Sequence, residues 1–190
     1  MQMNGFGLVA IFALVGCGPT NKSDIPIPAY DAAASAAAAL AQYDKNGNGS
    51  IEGAEFDASP GLKQLLASTK PGPEKKLNAD DLKKRFEGYV AEKVGAMTVR
   101  IRLLDKNKPV PNADLTFMPE NFMLGSIPTS TARTNAEGIV FEFNTAERSV
   151  PGLPPGVYRV TASTHPNAVL GCEVSAGGRG SGNNIDLIVP

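Results

Sequence analysis

Between two stretches of helix-forming residues lies a twelve-residue segment whose pattern leaves few folds open: Asp44-Lys45-Asn46-Gly47-Asn48-Gly49-Ser50-Ile51-Glu52-Gly53-Ala54-Glu55. Oxygen-bearing side chains fall at its first, third and fifth positions (Asp44, Asn46, Asn48), a hydroxyl at the seventh (Ser50), and carboxylates at the ninth and twelfth (Glu52, Glu55). Gly49 holds the sixth, where a chain that turns sharply needs a backbone without a Cβ. Ile51 is the one large apolar residue of the segment, placed for a short strand. A polar turn between helices is also rich in Asn and Gly. A turn that binds nothing does not, however, call for six oxygen bearers in one register.

That spacing suits a hard cation, since calcium takes several oxygens at flexible geometry. The segment resembles the calcium loop of the EF-hand. The resemblance implies side-chain oxygens from Asp44, Asn46 and Asn48, the main-chain carbonyl of Ser50, a water-bridged contact from Glu52 and a bidentate carboxylate from Glu55. With Asn at positions three and five, only Asp44, Glu52 and Glu55 carry charge, so the affinity expected is weak, about 10⁻⁴ to 10⁻³ M. A metal-free relic of such a loop is the other reading.

The flanking residues read as helices. Asp31 suits the N-cap of an Ala-rich helix in which Leu40 and Tyr43 are the only large apolar residues before the loop. After Glu55 the exit helix is expected to be short, because Ser59-Pro60 interrupts it. Ser59 then caps a new helix with Pro60 at its first position, running through Leu62, Leu65 and Leu66. The stretch Lys70 to Asp81 has the length of the first loop, with Leu77 where Ile51 sits and Asp81 where Glu55 sits. EF-hands pair through their eighth residues, so this is expected to be a second hand that has lost its ligands. Lys70, Gly72 and Lys75 hold its positions one, three and six, and the lysines would repel calcium. Dockerin modules share the loop but carry two competent copies. A last helix, Asp80 to Val94, puts Leu82, Phe86, Tyr89, Val90 and Val94 on one face, a core stripe or else a partner groove. Lys84 and Arg85 are expected on its solvated face.

Ahead of this lies Phe6 to Gly16, an apolar run of signal-peptide length and too short to span a bilayer. It ends in Leu14-Val15-Gly16-Cys17, which resembles the lipobox of bacterial lipoproteins. The resemblance implies cleavage before Cys17 and acylation of that residue. The protein would then be held to a membrane of the bacterial cell envelope through lipid, on the outer membrane or the periplasmic face. An ordinary secretory signal and a buried apolar segment are the alternatives, and Met1 to Gly5 lacks the Lys or Arg usual in such leaders. Gly18 to Pro28, with Pro19, Pro26 and Pro28, reads as a tether.

From about Ala96 the period changes to alternation. Val99, Ile101 and Leu103 point one way, Asp105 to Lys108 turns, and Ala113, Leu115 and Phe117 point inward on the next strand. Further strands are expected over Ile139 to Phe143, from Val157, over Ala168 to Val174 and over Ile185 to Val189. Short strands at hairpin spacing indicate an antiparallel sandwich of about seven strands. The segments Lys108-Pro109-Val110-Pro111-Asn112-Ala113, Thr134-Asn135-Ala136-Glu137-Gly138 and Pro155-Gly156-Val157-Tyr158-Arg159-Val160 resemble the carboxypeptidase regulatory-like domain. That resemblance implies a transthyretin-like fold and no catalytic role of its own. The chain is thus expected to be α+β: residues 1–16 a signal peptide, 17–29 the lipidated cysteine and tether, 30–95 an EF-hand pair with loop 44–55 competent and loop 70–81 degenerate, and 96–190 the sandwich.

Composition narrows the function. A net charge of -1 gives nucleic acid no basic face to bind. One histidine, His165, cannot assemble the multi-histidine sites of hydrolases on related folds, and beside Pro166 it reads as a loop residue. Cys172 lies in an apolar strand as a small core residue. Gly177 to Gly182 lacks the Lys and helix of a phosphate loop. The segment Pro119 to Thr131, with Phe122, Met123, Leu124 and Ile127, reads as a loop over the sandwich edge or a partner-binding loop. The expectation is a non-catalytic calcium-binding envelope protein whose sandwich serves a structural role or meets a protein or polysaccharide. An adhesive protein with an incidental loop and an accessory subunit of an envelope enzyme are the rivals.

Overall fold

The structure is a computed structural model that describes residues 25–69, 75–91, 93–125, 127–175 and 183–190. The signal-like run, Cys17, the first part of the tether, residues 70–74 of the second loop and the Gly-rich stretch 177–182 lie outside the described residues. The protein is α+β.

In its first half, helix α1 (Ala32–Tyr43) leads into strand β1 (Ser50–Glu52) and a 3-10 turn (Gly53–Ala58); helix α2 (Pro60–Thr69), strand β2 (Lys76–Asn78) and helix α3 (Ala79–Ala91) follow. Asp31 caps α1 by accepting from the backbone of Ala33 and Ala34 at 2.8 and 3.0 Å. Asn78 and Asp81 cap α3 reciprocally, at 2.9 and 3.1 Å. β1 and β2 pair antiparallel with Ile51 opposite Leu77, as the matched loop positions predict. α3 stops three residues short of the expected Val94, where Lys93 enters the left-handed region at φ 50°.

The second half runs β3 (Met97–Thr98), β4 (Arg100–Asp105), β5 (Lys108–Pro109), β6 (Asp114–Pro119), a 3-10 turn (Asn121–Met123), β7 (Ser130–Arg133) and β8 (Ile139–Val140). It continues with β9 (Phe143–Asn144), β10 (Ser149–Val150), β11 (Gly152–Leu153), β12 (Gly156–Ala162), β13 (His165–Val174) and β14 (Asn184–Val189). One sheet has the order β10-β9-β7-β6-β12-β13, a second holds β14-β4-β5 with β8 also on β4, and β11 pairs with β3 in a separate two-stranded sheet. Val99, Ile101, Leu103, Ala113, Leu115 and Phe117 are all buried, as their alternation requires.

Three expectations for these strands are corrected. β14 runs parallel to β4, so the strands are not all antiparallel. Alternation of Ile185, Leu187 and Val189 fixes which side chains face the core but carries no information on strand direction. The single strand expected over Ile139 to Phe143 is two, one on each sheet. Val140 and Phe143 are both buried, and residues three apart point to opposite faces of one strand, so the chain crosses between sheets at Phe141-Glu142. His165 opens β13 rather than lying in a loop.

The two halves share one apolar cluster, which runs from Ala36 on α1 to Val189 on β14. α2 lies across β12 and β13 so closely that a Cβ on Gly171 would sit 2.0 Å from the carbonyl carbon of Pro60. In the loop after β6 Phe122 and Met123 are buried, and Phe122 stacks on Phe86 of α3 and meets Tyr43 of α1 edge-on. The end of the expected tether is packed as well. Pro28 is buried, and the carbonyl oxygen of Ile25 would lie 2.1 Å from a Cβ on Gly95.

Two carboxylates of the β half are buried in this seam, Glu120 at 1% and Glu173 at 6% exposure. Glu173 accepts from Arg85 Nε and Ser68 Oγ, each at 2.6 Å, and from the Tyr89 hydroxyl. Arg85 is therefore not on a solvated face. Burial works against its charge, but the hydrogen bond and charge of Glu173 outweigh it and hold its pKa above the ordinary arginine value. Burial, with Glu173 next to it, pushes the Tyr89 phenol well up.

Arg85→Ala leaves a buried carboxylate without its cation and is expected to cost about 3 kcal/mol in urea unfolding. Gly171→Ala, which drives a methyl into backbone, is expected to cost about 1–3 kcal/mol by the same measurement.

Candidate metal centre

Loop 44–55 begins where α1 ends, with the Asp44 amide still donating to Leu40 O at 2.9 Å. The acceptors of the loop turn inward on its own backbone. Asp44 Oδ1 accepts from the amides of Gly47 and Asn48 at 2.8 and 3.2 Å, and its Oδ2 from Gly49 at 2.8 Å. Asn46 Oδ1 accepts from Asn48 N and Asn48 Oδ1 from Ser50 N, both at 2.9 Å. Glu55 closes the ring. Its Oε1 accepts from the amides of Lys45 and Asn46 at 2.7 and 3.2 Å, and its Oε2 from Glu52 N at 2.9 Å.

The backbone explains the glycines. Gly47 and Gly49 stand at φ +70° and +81° with nothing within 4 Å of an added Cβ, so conformation rather than space requires them. Ile51 is fully buried opposite Leu77, which ties the far side of the loop to the helices.

The negative charge of Asp44 acts to raise the pKa of Glu55. Glu55 is nevertheless held below the usual glutamate value, chiefly by the Glu52 amide and then by those of Lys45 and Asn46. Glu52 is drawn the other way, its Oε1 accepting from Asn48 Nδ2 at 2.8 Å. Among the described residues no three His, Cys, Asp or Glu side chains gather into a metal-holding cluster. The acceptors the loop offers are instead mixed, the carboxylates of Asp44, Glu52 and Glu55 with the amide oxygens of Asn46 and Asn48. Such a set fits a hard cation such as calcium and not a thiolate- or imidazole-seeking one.

The residues that carry the ends of the loop are not visible as site residues in the sequence. Tyr43, immediately before Asp44, donates its hydroxyl to Glu120 Oε2 at 2.7 Å. Ser59, immediately after the 3-10 turn, donates to Glu120 Oε1 at 2.8 Å while accepting from Leu62 N at 3.4 Å. Burial first, and then the bond to Glu120, push the Tyr43 phenol up to about 12. Only the capping role of Ser59 was legible, from the proline that follows it.

The remaining chemistry-bearing residues are placed as follows. Cys172 is fully buried, and burial raises its thiol pKa. His165 sits 3.8 Å from Asp105 and 3.0 Å from the Thr164 hydroxyl. An open groove of about 540 Å³ runs between α2, β13 and β14, with Lys63, Val169 and Ile188 on its walls.

No family model, curated protein or solved structure matches the chain significantly.

A glutamate whose pKa is depressed by folding adds stability above its ordinary value of 4.5, and that stability is lost as pH falls through the lower folded value. In calcium-free buffer the melting-temperature gap between the chain and Glu55→Gln is therefore expected to narrow from about pH 6 to about pH 3. A gap that stays constant would show that Glu55 is not held by the loop amides.

Proposed function

We propose that this chain is a calcium-binding protein of the bacterial cell envelope, anchored by lipid on Cys17, in which the ion is structural rather than catalytic. In this reading residues 30–95 form an EF-hand pair with a degenerate second loop. Residues 96–190 form a carboxypeptidase regulatory-like sandwich that meets an envelope protein or polysaccharide, or serves structurally. The observation that carries the reading is the ring of acceptors in loop 44–55, in which Asp44 accepts from the amides of Gly47, Asn48 and Gly49 and Glu55 from those of Lys45, Asn46 and Glu52.

Asp44, Asn46, Asn48 and Glu55 would hold the ion with their side chains, Ser50 with its carbonyl and Glu52 through water. When bound, calcium would supply positive charge to the carboxylates of Asp44, Glu52 and Glu55. The pairing of Ile51 with Leu77 supports a paired arrangement. So does the bond from the Asn78 amide to Asp81, which repeats the one from Glu52 to Glu55. Assignment to a non-catalytic class is supported by Cys172, sealed in the core with a raised pKa, and by the single histidine.

A second reading, a structural protein whose loop is incidental, is favoured by one observation. The loop amides and Asn48 already engage the carboxylates of Asp44, Glu52 and Glu55.

Titration calorimetry with calcium on the purified chain separates the two. One equivalent is expected to bind with a Kd of about 10⁻⁴ to 10⁻³ M, and binding is lost in Glu55→Gln. At ten times Kd the ion should add about 1.4 kcal/mol of stability, read as a higher melting temperature. No heat and no thermal shift at millimolar calcium would leave the incidental reading.

A further inference from the structure

Both ends of the loop hang on one side chain of the β half. Glu120 follows β6, and its amide donates to Val157 O at 2.9 Å, which fixes it to β12. Its carboxylate is 1% exposed, and each of its oxygens accepts a hydroxyl across the seam. Tyr43, the last residue of α1, supplies one hydroxyl and Ser59 the other. All six donor residues lie in the chain between Tyr43 and Ser59. The next turn of the β half, carrying Phe122 against the Tyr43 ring, stiffens the same corner.

A loop of twelve residues has little freedom to adjust its first donor against its last except by moving its ends. Tyr43 is covalently next to Asp44. Ser59 is joined to Glu55 by one short 3-10 turn. A shift at either hydroxyl is therefore passed to the separation of Asp44 and Glu55.

We propose that Glu120 is a positioning residue for the cation site of loop 44–55: it sets the separation of the loop's ends, so that cation binding and seating of β6 against the helices are one linked equilibrium. The proposal rests on the calcium reading of the loop. Linkage is reciprocal, so releasing the clamp weakens cation binding by the same factor by which the cation strengthens the clamp. A seam bond with no such role would give a different result, lower stability with unchanged cation affinity.

The second buried carboxylate provides the comparison. The Tyr89 hydroxyl donates to Glu173 across the same seam but from α3, which does not border the loop. Calcium chloride is titrated by calorimetry into the full chain and into Tyr43→Phe, Ser59→Ala and Tyr89→Phe, and each is melted in chelator. Tyr43→Phe keeps the ring and its contact with Phe122, and Ser59→Ala approaches the same carboxylate from the other side should the first variant fold poorly.

The expected result is a Kd raised about fivefold or more in each loop-flanking variant. Tyr89→Phe should melt lower than the unaltered chain yet keep its Kd. Unaltered affinity in both flanking variants would overturn the proposal, and so would equal weakening in Tyr89→Phe. No calcium heat in the unaltered chain would overturn the calcium reading and this proposal together. Binding by the unaltered chain with unmoved variants would overturn this proposal alone.

Discussion

Glu120 and Glu173 are buried between the helices and the sheets, and the placement of the helices follows from the need to satisfy them. A carboxylate taken out of water without partners costs several kcal/mol, and each of these meets its donors only in one arrangement. Glu120 needs the end of α1 and the start of α2 together, since Tyr43 and Ser59 supply its bonds. Glu173 needs α2 and α3 together, since Ser68 comes from one and Arg85 and Tyr89 from the other. Apolar packing supplies most of the driving force, but it tolerates sliding and repacking. The two glutamates remove that tolerance: a helix displaced along the sheet would strand a buried acceptor.

Reaching those bonds requires an unusually close approach. Hydroxyls on serine are short, so α2 must lie almost on the backbone of β12 and β13 for Ser59 to reach Glu120 and Ser68 to reach Glu173. Glycine at 171 permits this, and glycine at 61 does the same against Val157. Side chains at those two positions would lift α2 off the sheet and break both serine contacts at once. Phe122 then fills the corner between α1 and α3, where its ring meets both helices. Polar satisfaction, close approach and apolar filling are thus three parts of one contact.

Much of each element was legible because its signal is local. Asp31 reads as a cap from the alanines after it, Ile51 and Leu77 align by loop position, and the inward residues of β4 and β6 follow from alternation. The loop was legible for the same reason, since its oxygens, glycines and backbone turns lie within twelve residues. What was not legible lies between elements. Arg85 sits among Lys83, Lys84 and Glu87 and has the sequence context of a surface residue; only the sheet behind it places Glu173 within reach. Glu120 carries no local mark that pairs it with residues 61 and 77 positions away. The direction of β14 could not be read at all. The break between β8 and β9, by contrast, was present in the sequence, because Val140 and Phe143 have a spacing that one strand cannot bury on one face.

The change of period near residue 96 marks a change of secondary structure and not a boundary between cores. Independent modules would each close an apolar cluster and meet through a wetter surface. Here the cluster is continuous from α1 to β14. The segment before α1 reinforces the junction: Tyr30 meets the ring of Tyr89 edge-on, beside the hydroxyl that serves Glu173, and Ile25 lies against Gly95. Lifting the helices away would expose Phe86 and Phe122 together and leave two carboxylates unserved. Partial states of that kind are costly on both apolar and polar grounds, so helices and sheets are expected to unfold as one cooperative unit. For loop 44–55, seated at the edge of such a seam, the stability of the whole chain and the separation of the loop's two ends are then parts of a single equilibrium.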